Sequence, residues 1–174
     1  GMSIKPILFS GPMVRALLEG RKTQTRRVLK PQPLLSFVVP VDHKPGWFGD
    51  EEGEYEFNAR YAPGDLLYVR EAWRVDDAYN DLSPSEMGGE EGVRYELDGA
   101  FCSWTFGPRK KGRLRASMHM PRWASRLTLE VTGVRVERLQ DISEDDAISE
   151  GIAKNPVQQN TWIDYPEGSS VSGW

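Results

Sequence analysis

The sequence predicts an α+β protein, a small β-barrel of mixed or antiparallel strands with short helices flanking it. Three observations carry this expectation. Leu127, Leu129 and Val131 alternate with polar partners, the period of a half-buried strand. After Thr132-Gly133 the apolar positions shift to Val134 and Val136, so one residue is inserted and Gly133 marks a bulge or a sharp bend. A long strand over residues 127–139, bent at a glycine, is what a small closed or partly closed barrel uses at a corner. The third observation is that both helix signals, one near each end of the chain, are short.

In chain order, residues 4–9 read as a short buried strand, and Ser10-Gly11-Pro12 then starts a helix, with Ser10 or Gly11 as its cap and Pro12 in its first turn. Met13 with Leu17, and Val14 with Leu18, are i, i+4 pairs on one stripe. Gly20 stands where a left-handed C-terminal residue is wanted. The polar segment Arg21-Lys22-Thr23-Gln24-Thr25-Arg26-Arg27 therefore lies at a helix exit, held by a packed element but outside the core. Residues 29–61 show scattered Pro and Gly, an acidic run and little period, and read as a long loop with one short strand. Pro63-Gly64-Asp65 is a turn, and residues 66–73 a core strand with Arg70, Glu71 and Trp73 at or near its end. Residues 76–92 are an acidic excursion and residues 93–97 a further strand. Ser143 starts the second helix in a capping box with Asp146, Ile142 staples against Ala147, and Gly151 ends it. Glu150 then falls in the last turn, where the macrodipole disfavours a carboxylate.

A chain of 174 residues buries one core, so a single domain is expected over residues 2–174, with its core at about 4–153, insertions at 30–61 and 76–92, and an irregular tail over 154–174. Gly1 ahead of Met2 reads as a remnant of tag cleavage. A net charge of −4 argues against indiscriminate coating of nucleic acid. The positive charge is concentrated, however. Arg15, Arg21, Lys22, Arg26, Arg27 and Lys30 face the single acid Glu19, and seven basic residues from Arg109 to Arg126 face none. Were the two runs to converge, they would form an anion site on an acidic protein. No stretch reaches the roughly 20 apolar residues of a membrane span. Cys102 is the only cysteine, which forbids an internal disulfide and a multi-cysteine zinc site. The expectation is a cytoplasmic protein without membrane contact. With no phosphate loop, serine elbow or metal-ligand spacing, neither cofactor nor metal is expected. His43 and His119 read as surface or structural histidines, His119 drawing interest because Arg122 and Trp123 follow it.

Four segments in order resemble the ASCH family. Gly20-Arg21-Lys22-Thr23-Gln24-Thr25-Arg26-Arg27 resembles its G-[RK]-K-T-x-T-x-R segment, and Gly64-Asp65-Leu66-Leu67-Tyr68-Val69 its G-D-x-L-x-V strand. Residues 127–139 match its long strand and residues 142–152 the short helix after it. The wording of Val69-Arg70-Glu71-Ala72-Trp73 and of residues 119–126 is most similar to the phage and prophage branch. The resemblance spans roughly residues 4–153 and implies a barrel similar to the PUA fold.

It also implies a ligand: RNA or a modified pyrimidine nucleoside in a basic cleft. Small bacterial members include an amidohydrolase that deacetylates N4-acetylcytidine with a Lys, a Thr and a Glu, which fall by position on Lys22, Thr25 and Glu150. A threonine hydroxyl needs a base, which a lysine supplies once burial or a neighbouring cation depresses its pKa. Glu150, pushed toward neutrality by the helix end, would then donate a proton to the leaving amine. The same segment also reads as a plain helix exit, or as a binder without chemistry in which Arg21, Arg26, Arg27, Arg70 and Arg122 hold phosphate and Trp73, with His119, faces a base. The alternatives are thus a non-catalytic RNA-binding module, or a phage accessory or assembly protein acting through protein contacts. The family's closing apolar strand is missing after residue 153, which suggests truncation or a strand supplied by another chain.

Overall fold

The computed structural model describes residues 3–30, 32–35, 37–102, 110–154 and 162–163. β1 (Ile4–Leu8) leads into α1 (Gly11–Leu18), where Ser10 is the extended N-cap and Pro12 sits in the first turn. β2 (Val39–Pro40), β3 (Trp47–Gly49) and β4 (Glu56–Asn58) form an antiparallel meander. β5 (Leu66–Arg70) follows the turn at Gly64, and then come β6 (Trp73–Arg74), β7 (Val93–Tyr95) and β8 (Phe101–Cys102) as a second antiparallel sheet. β9 (Thr128–Glu130), α2 (Glu144–Ser149), β10 (Ala153–Lys154) and β11 (Trp162–Ile163) complete the order.

The chain is α+β, with sheets that are antiparallel except at one place. β1 and β5 run parallel, Ile4 opposite Leu66 and Leu8 opposite Arg70, and β9 adds antiparallel to the other side of β5. Ile7, Phe9, Leu67 and Val69 point from this sheet onto Val14 of α1, with Met13, Leu17, Leu127, Leu129 and Val131 around them. A second core gathers Trp73, Val75, Met87, Val93, Tyr95, Met120 and Ala124. Between the two cores lies Glu71, 3 % exposed, whose carboxylate takes two hydrogen bonds of 2.8 Å from Arg126.

Several expectations are corrected. Residues 29–61 carry three strands, each of two or three residues, too short for any period to show in sequence. The strand expected over residues 127–139 pairs only at Thr128–Glu130, and its backbone contact ends with Val131, which bonds to Gly64 and Asp65. The physical reason is register. β5 begins at Leu66 after a turn, so residues beyond 131 have run past the start of their partner. Without that strand no closed barrel forms among the described residues, which instead show four separate sheets. The predicted strand over residues 66–73 likewise breaks after Arg70, because Trp73 joins the second sheet. The tail expected to be irregular contributes β11, paired with β10, and its other residues from 155 onward lie outside the described ones. No helix among the described residues is long and apolar enough to cross a membrane.

Candidate functional site

The first helix ends as its sequence requires. Gly20 adopts φ +72°, and the N–H groups of Arg21 and Lys22 both donate to Ala16 O, at 2.8 and 3.1 Å. The chain then docks on the end of α2, where Thr23 N and Gln24 N donate to Ser149 O at 2.7 and 2.9 Å. Close approach at this point depends on Gly151, at φ +90°, where a Cβ would lie 2.8 Å from Ala16 Cβ and 3.3 Å from Lys22 Cβ. The capping box of Ser143 and Asp146 fixes the other end of α2.

Beyond the helix exit the residues alternate. Lys22, Gln24 and Arg26 turn their bonds toward the α2 side, and Thr23, Thr25 and Arg27 are exposed. Contrary to the sequence expectation, Lys22 is a core residue, 5 % exposed. Its Nζ donates to Gln24 O at 2.6 Å and to Glu150 O at 2.9 Å, and lies 5.3 Å from the centre of the Phe9 ring. Burial pushes the Lys22 pKa down from 10.5 to about 8, opposed by the charge of Glu150 and helped by that of Arg27.

Arg26 fastens the same junction through its side chain. Its Nε donates to Glu150 Oε1 at 2.6 Å and its Nη1 to Glu137 Oε2 at 2.9 Å. Its Nη2 stands 3.3 Å from Asp146 Oδ2, within ion-pair range but without hydrogen-bond alignment. Asp146 is held well below the usual carboxylate range by the Ser143 hydroxyl and by Arg135. Arg26 is thus surrounded by carboxylates and is not open to phosphate, which corrects its expected role. Arg21 is likewise engaged, its Nε 2.6 Å from Glu19 Oε2 and its Nη1 3.3 Å from Gly151 O.

The structure therefore brings Lys22, Arg26 and Glu150 together. Thr25 lies on the same segment, exposed, with its hydroxyl bonded to no described residue. Arg27 donates to Arg26 O at 3.1 Å and Leu8 O at 3.0 Å, and Arg70 to Met118 O at 3.0 Å and the Tyr68 hydroxyl at 2.9 Å. Trp73 is corrected outright as a base-facing residue, because it is 0 % exposed, edge-on to Trp123 and capped by the Arg115 guanidinium at 5.6 Å. His119 and Arg122 are exposed, and neither is hydrogen-bonded to the Lys22–Glu150 junction. Two members of the second basic run, Arg115 and Arg126, have structural roles, while Lys110, Lys111, Arg113 and Arg122 are exposed. Arg115 is buried and bonds to Tyr79 O, Arg126 serves Glu71 and Asp98, and Arg109 lies outside the described residues.

No protein-family model matches this chain, and neither a curated protein nor a solved structure matches it. An open cleft of about 520 Å³ lies elsewhere, lined by Lys5, Arg60, Tyr61 and Asp65 among others. Its Lys5 ammonium is held by Asp65 at 2.6 Å, and the cleft shares no lining residue with the junction. Among the described residues no group of three or more His, Cys, Asp or Glu side chains is placed to hold a metal. Sequence reasoning missed Glu137 and Asp146 as partners of Arg26, and Gly151 as the residue that lets α2 reach Lys22. A glycine directly after Glu150 was the available signal.

Proposed function

We propose that this protein is an ASCH-type, PUA-like amidohydrolase that removes the acyl group from an N4-acylated cytosine. The observation that carries the reading is the buried Lys22 amine, which bonds to the main chain of Glu150 and has a pKa lowered to about 8. A lysine ammonium is rarely buried, and one shifted toward neutrality beside a carboxylate is suited to general-base work.

In the proposed reaction the neutral Lys22 amine removes the Thr25 hydroxyl proton as Oγ1 attacks the acyl carbonyl. The C–N bond then breaks and N4 leaves with the proton that Lys22 took from Thr25, relayed by the Glu150 carboxylate. Water then hydrolyses the acyl-threonine ester, its proton going to Lys22, to free the acid and restore Thr25. Thr25 must turn from its exposed position toward Lys22 when substrate binds, as catalytic contacts commonly tighten only in the complex. Arg26 holds the Glu150 carboxylate in place throughout.

The test is release of acetate from N4-acetylcytidine by the purified protein, with Lys22→Ala and Thr25→Ala beside it. Turnover should vanish in both variants, and in the parent it should rise with pH to a plateau above about 8, where Lys22 is neutral. A well-folded parent that releases no acetate would overturn the reading. A non-catalytic RNA-binding module would then be the stronger account, favoured by the exposed Arg27, His119 and Arg122.

A further inference from the structure

We infer that the open cleft at the N-terminal ends of β1 and β5 binds the phosphate group of a small molecule, taken by the Arg60 guanidinium. The cleft is separate from the Lys22 junction, and the inference does not rest on the amidohydrolase reading.

At about 520 Å³ the cleft is of the size that small ligands occupy. Ser3 and Lys5 reach it from the start of β1, Asp65 from the turn before β5, and Asn58, Arg60 and Tyr61 from the end of β4 and the chain that follows. Asp65 is the one carboxylate among its lining residues, and that carboxylate is already engaged. Its oxygens accept from Lys5 Nζ at 2.6 Å, the Ser3 hydroxyl at 2.7 Å and the Ala62 N–H at 3.0 Å, contacts that hold it well below the usual carboxylate range. Asp65 therefore stays charged and answers Lys5. The Arg60 charge is left over, because its guanidinium donates to no described residue.

An exposed arginine without a partner is ordinary, and what makes this one a site is how it is held. Arg60 has a left-handed backbone, φ +73°, which costs a residue with a Cβ free energy that its surroundings must offset. Side chains pin its main chain on both sides. Asn58 Oδ1 accepts from the Arg60 N–H at 2.7 Å, and Lys5 Nζ donates to Arg60 O at 2.7 Å. The guanidinium then lies 5.7 Å from the centre of the Tyr61 ring, as does the Lys5 ammonium. A glycine would take this backbone without strain, so the fold bears the cost of a side chain here. That side chain lines the cleft and does not pack in either core.

Two cations against one carboxylate leave the cleft positive, and its donors outnumber its acceptors. Arg60 offers a planar fork of N–H groups. Lys5 has one ammonium hydrogen beyond the two it uses, and Asn58, its oxygen taken, keeps its NH2 group. Spare donors around a positive charge call for an anion. Their number suits the three terminal oxygens of a phosphate better than the two of a carboxylate.

The experiment is a ¹H–¹⁵N NMR titration at constant ionic strength with ribose 5-phosphate, inorganic phosphate, ribose and acetate. It is run on the parent and on Arg60→Gln, Arg60→Gly and Arg113→Gln, the last altering an exposed arginine that does not line the cleft. In the parent and in Arg113→Gln the amides of Asn58, Arg60 and Tyr61 should shift with ribose 5-phosphate and stay in place with ribose. Both Arg60 variants should weaken phosphate by about tenfold or more, as the loss of charge-assisted hydrogen bonds implies. Because Arg60→Gly relieves the backbone, its loss of binding reads the guanidinium and not the fold. Inorganic phosphate bound as tightly as the ester would identify the free ion as the ligand's source, and tighter binding of the ester would identify a phosphorylated small molecule. Absence of shifts at these amides with either phosphate compound, acetate bound as tightly as phosphate, or an affinity that survives Arg60→Gly would overturn the inference.

Discussion

Replacing Lys22 by methionine should erase a pH dependence of stability that the wild-type chain owes to one buried amine. Lys22 is 5 % exposed, and its pKa falls from 10.5 to about 8 on folding. Between those values the unfolded chain binds the proton and the folded chain does not, so stability rises with pH across the window. Below about pH 8 both states are protonated, the slope from this residue is zero, and the cost of burying the ammonium is felt in full. Each pKa unit corresponds to about 1.4 kcal/mol. Wild-type stability should therefore gain roughly 1 kcal/mol by about pH 9 and roughly 2 to 3 kcal/mol by about pH 10, relative to Lys22→Met. Methionine fills similar space but leaves the carbonyls of Gln24 and Glu150 without this donor, which offsets the two curves by about 1–3 kcal/mol. The offset does not enter the test, because only the difference in slope reports the amine. Urea unfolding at a series of pH values from about 7 to about 10, read by tryptophan fluorescence, measures it. Tyrosine titration is common to both proteins and cancels. Parallel curves for the two proteins would refute the claim that Lys22 is buried and shifted.

Two further predictions probe the packing that builds the junction. Gly151→Ala combines a left-handed backbone with a Cβ placed 2.8 Å from Ala16, and should destabilise by about 2–4 kcal/mol in urea unfolding. A loss below about 1 kcal/mol would mean that α2 moves freely away from α1. Arg126→Met strands the Glu71 carboxylate, 3 % exposed, and should cost about 3–5 kcal/mol, with most of the loss recovered in the double variant Glu71→Leu/Arg126→Met.

What the sequence made legible was local. Ser10, Pro12 and Gly20 bound α1 as expected, Gly64 turns into β5, and Ser143 with Asp146 and Gly151 frames α2, since each of these signals acts within a few residues. The long strand failed because alternation reports a face, not a partner. Leu127, Leu129 and Val131 do turn to the core, but Val134 and Val136 have no strand of β5 beside them. The site divides in the same way. Lys22 meets the Glu150 carbonyl, yet the burial of Lys22 could not be read from a polar segment, because Gly151 and Phe9 supply it from elsewhere in the chain. Arg26 and Arg27 look alike in sequence, and only the three-dimensional position of Glu137, Asp146 and Glu150 separates a neutralised guanidinium from one without a carboxylate partner.

The hydrogen bond from Lys22 to Glu150 spans 128 residues, and its neighbours from Thr23 and Gln24 to Ser149 span nearly as many. Closing so long a loop is entropically costly and gains nothing until the last residues are in place. During synthesis, α1 and its exit segment emerge first and wait with the Lys22 amine in water while more than a hundred further residues are added. Lys22 thus acquires its lowered pKa only once the end of α2 has arrived. A chain stopped short of α2 holds an ordinary, fully charged lysine, and the shift in its pKa is itself a product of the completed fold.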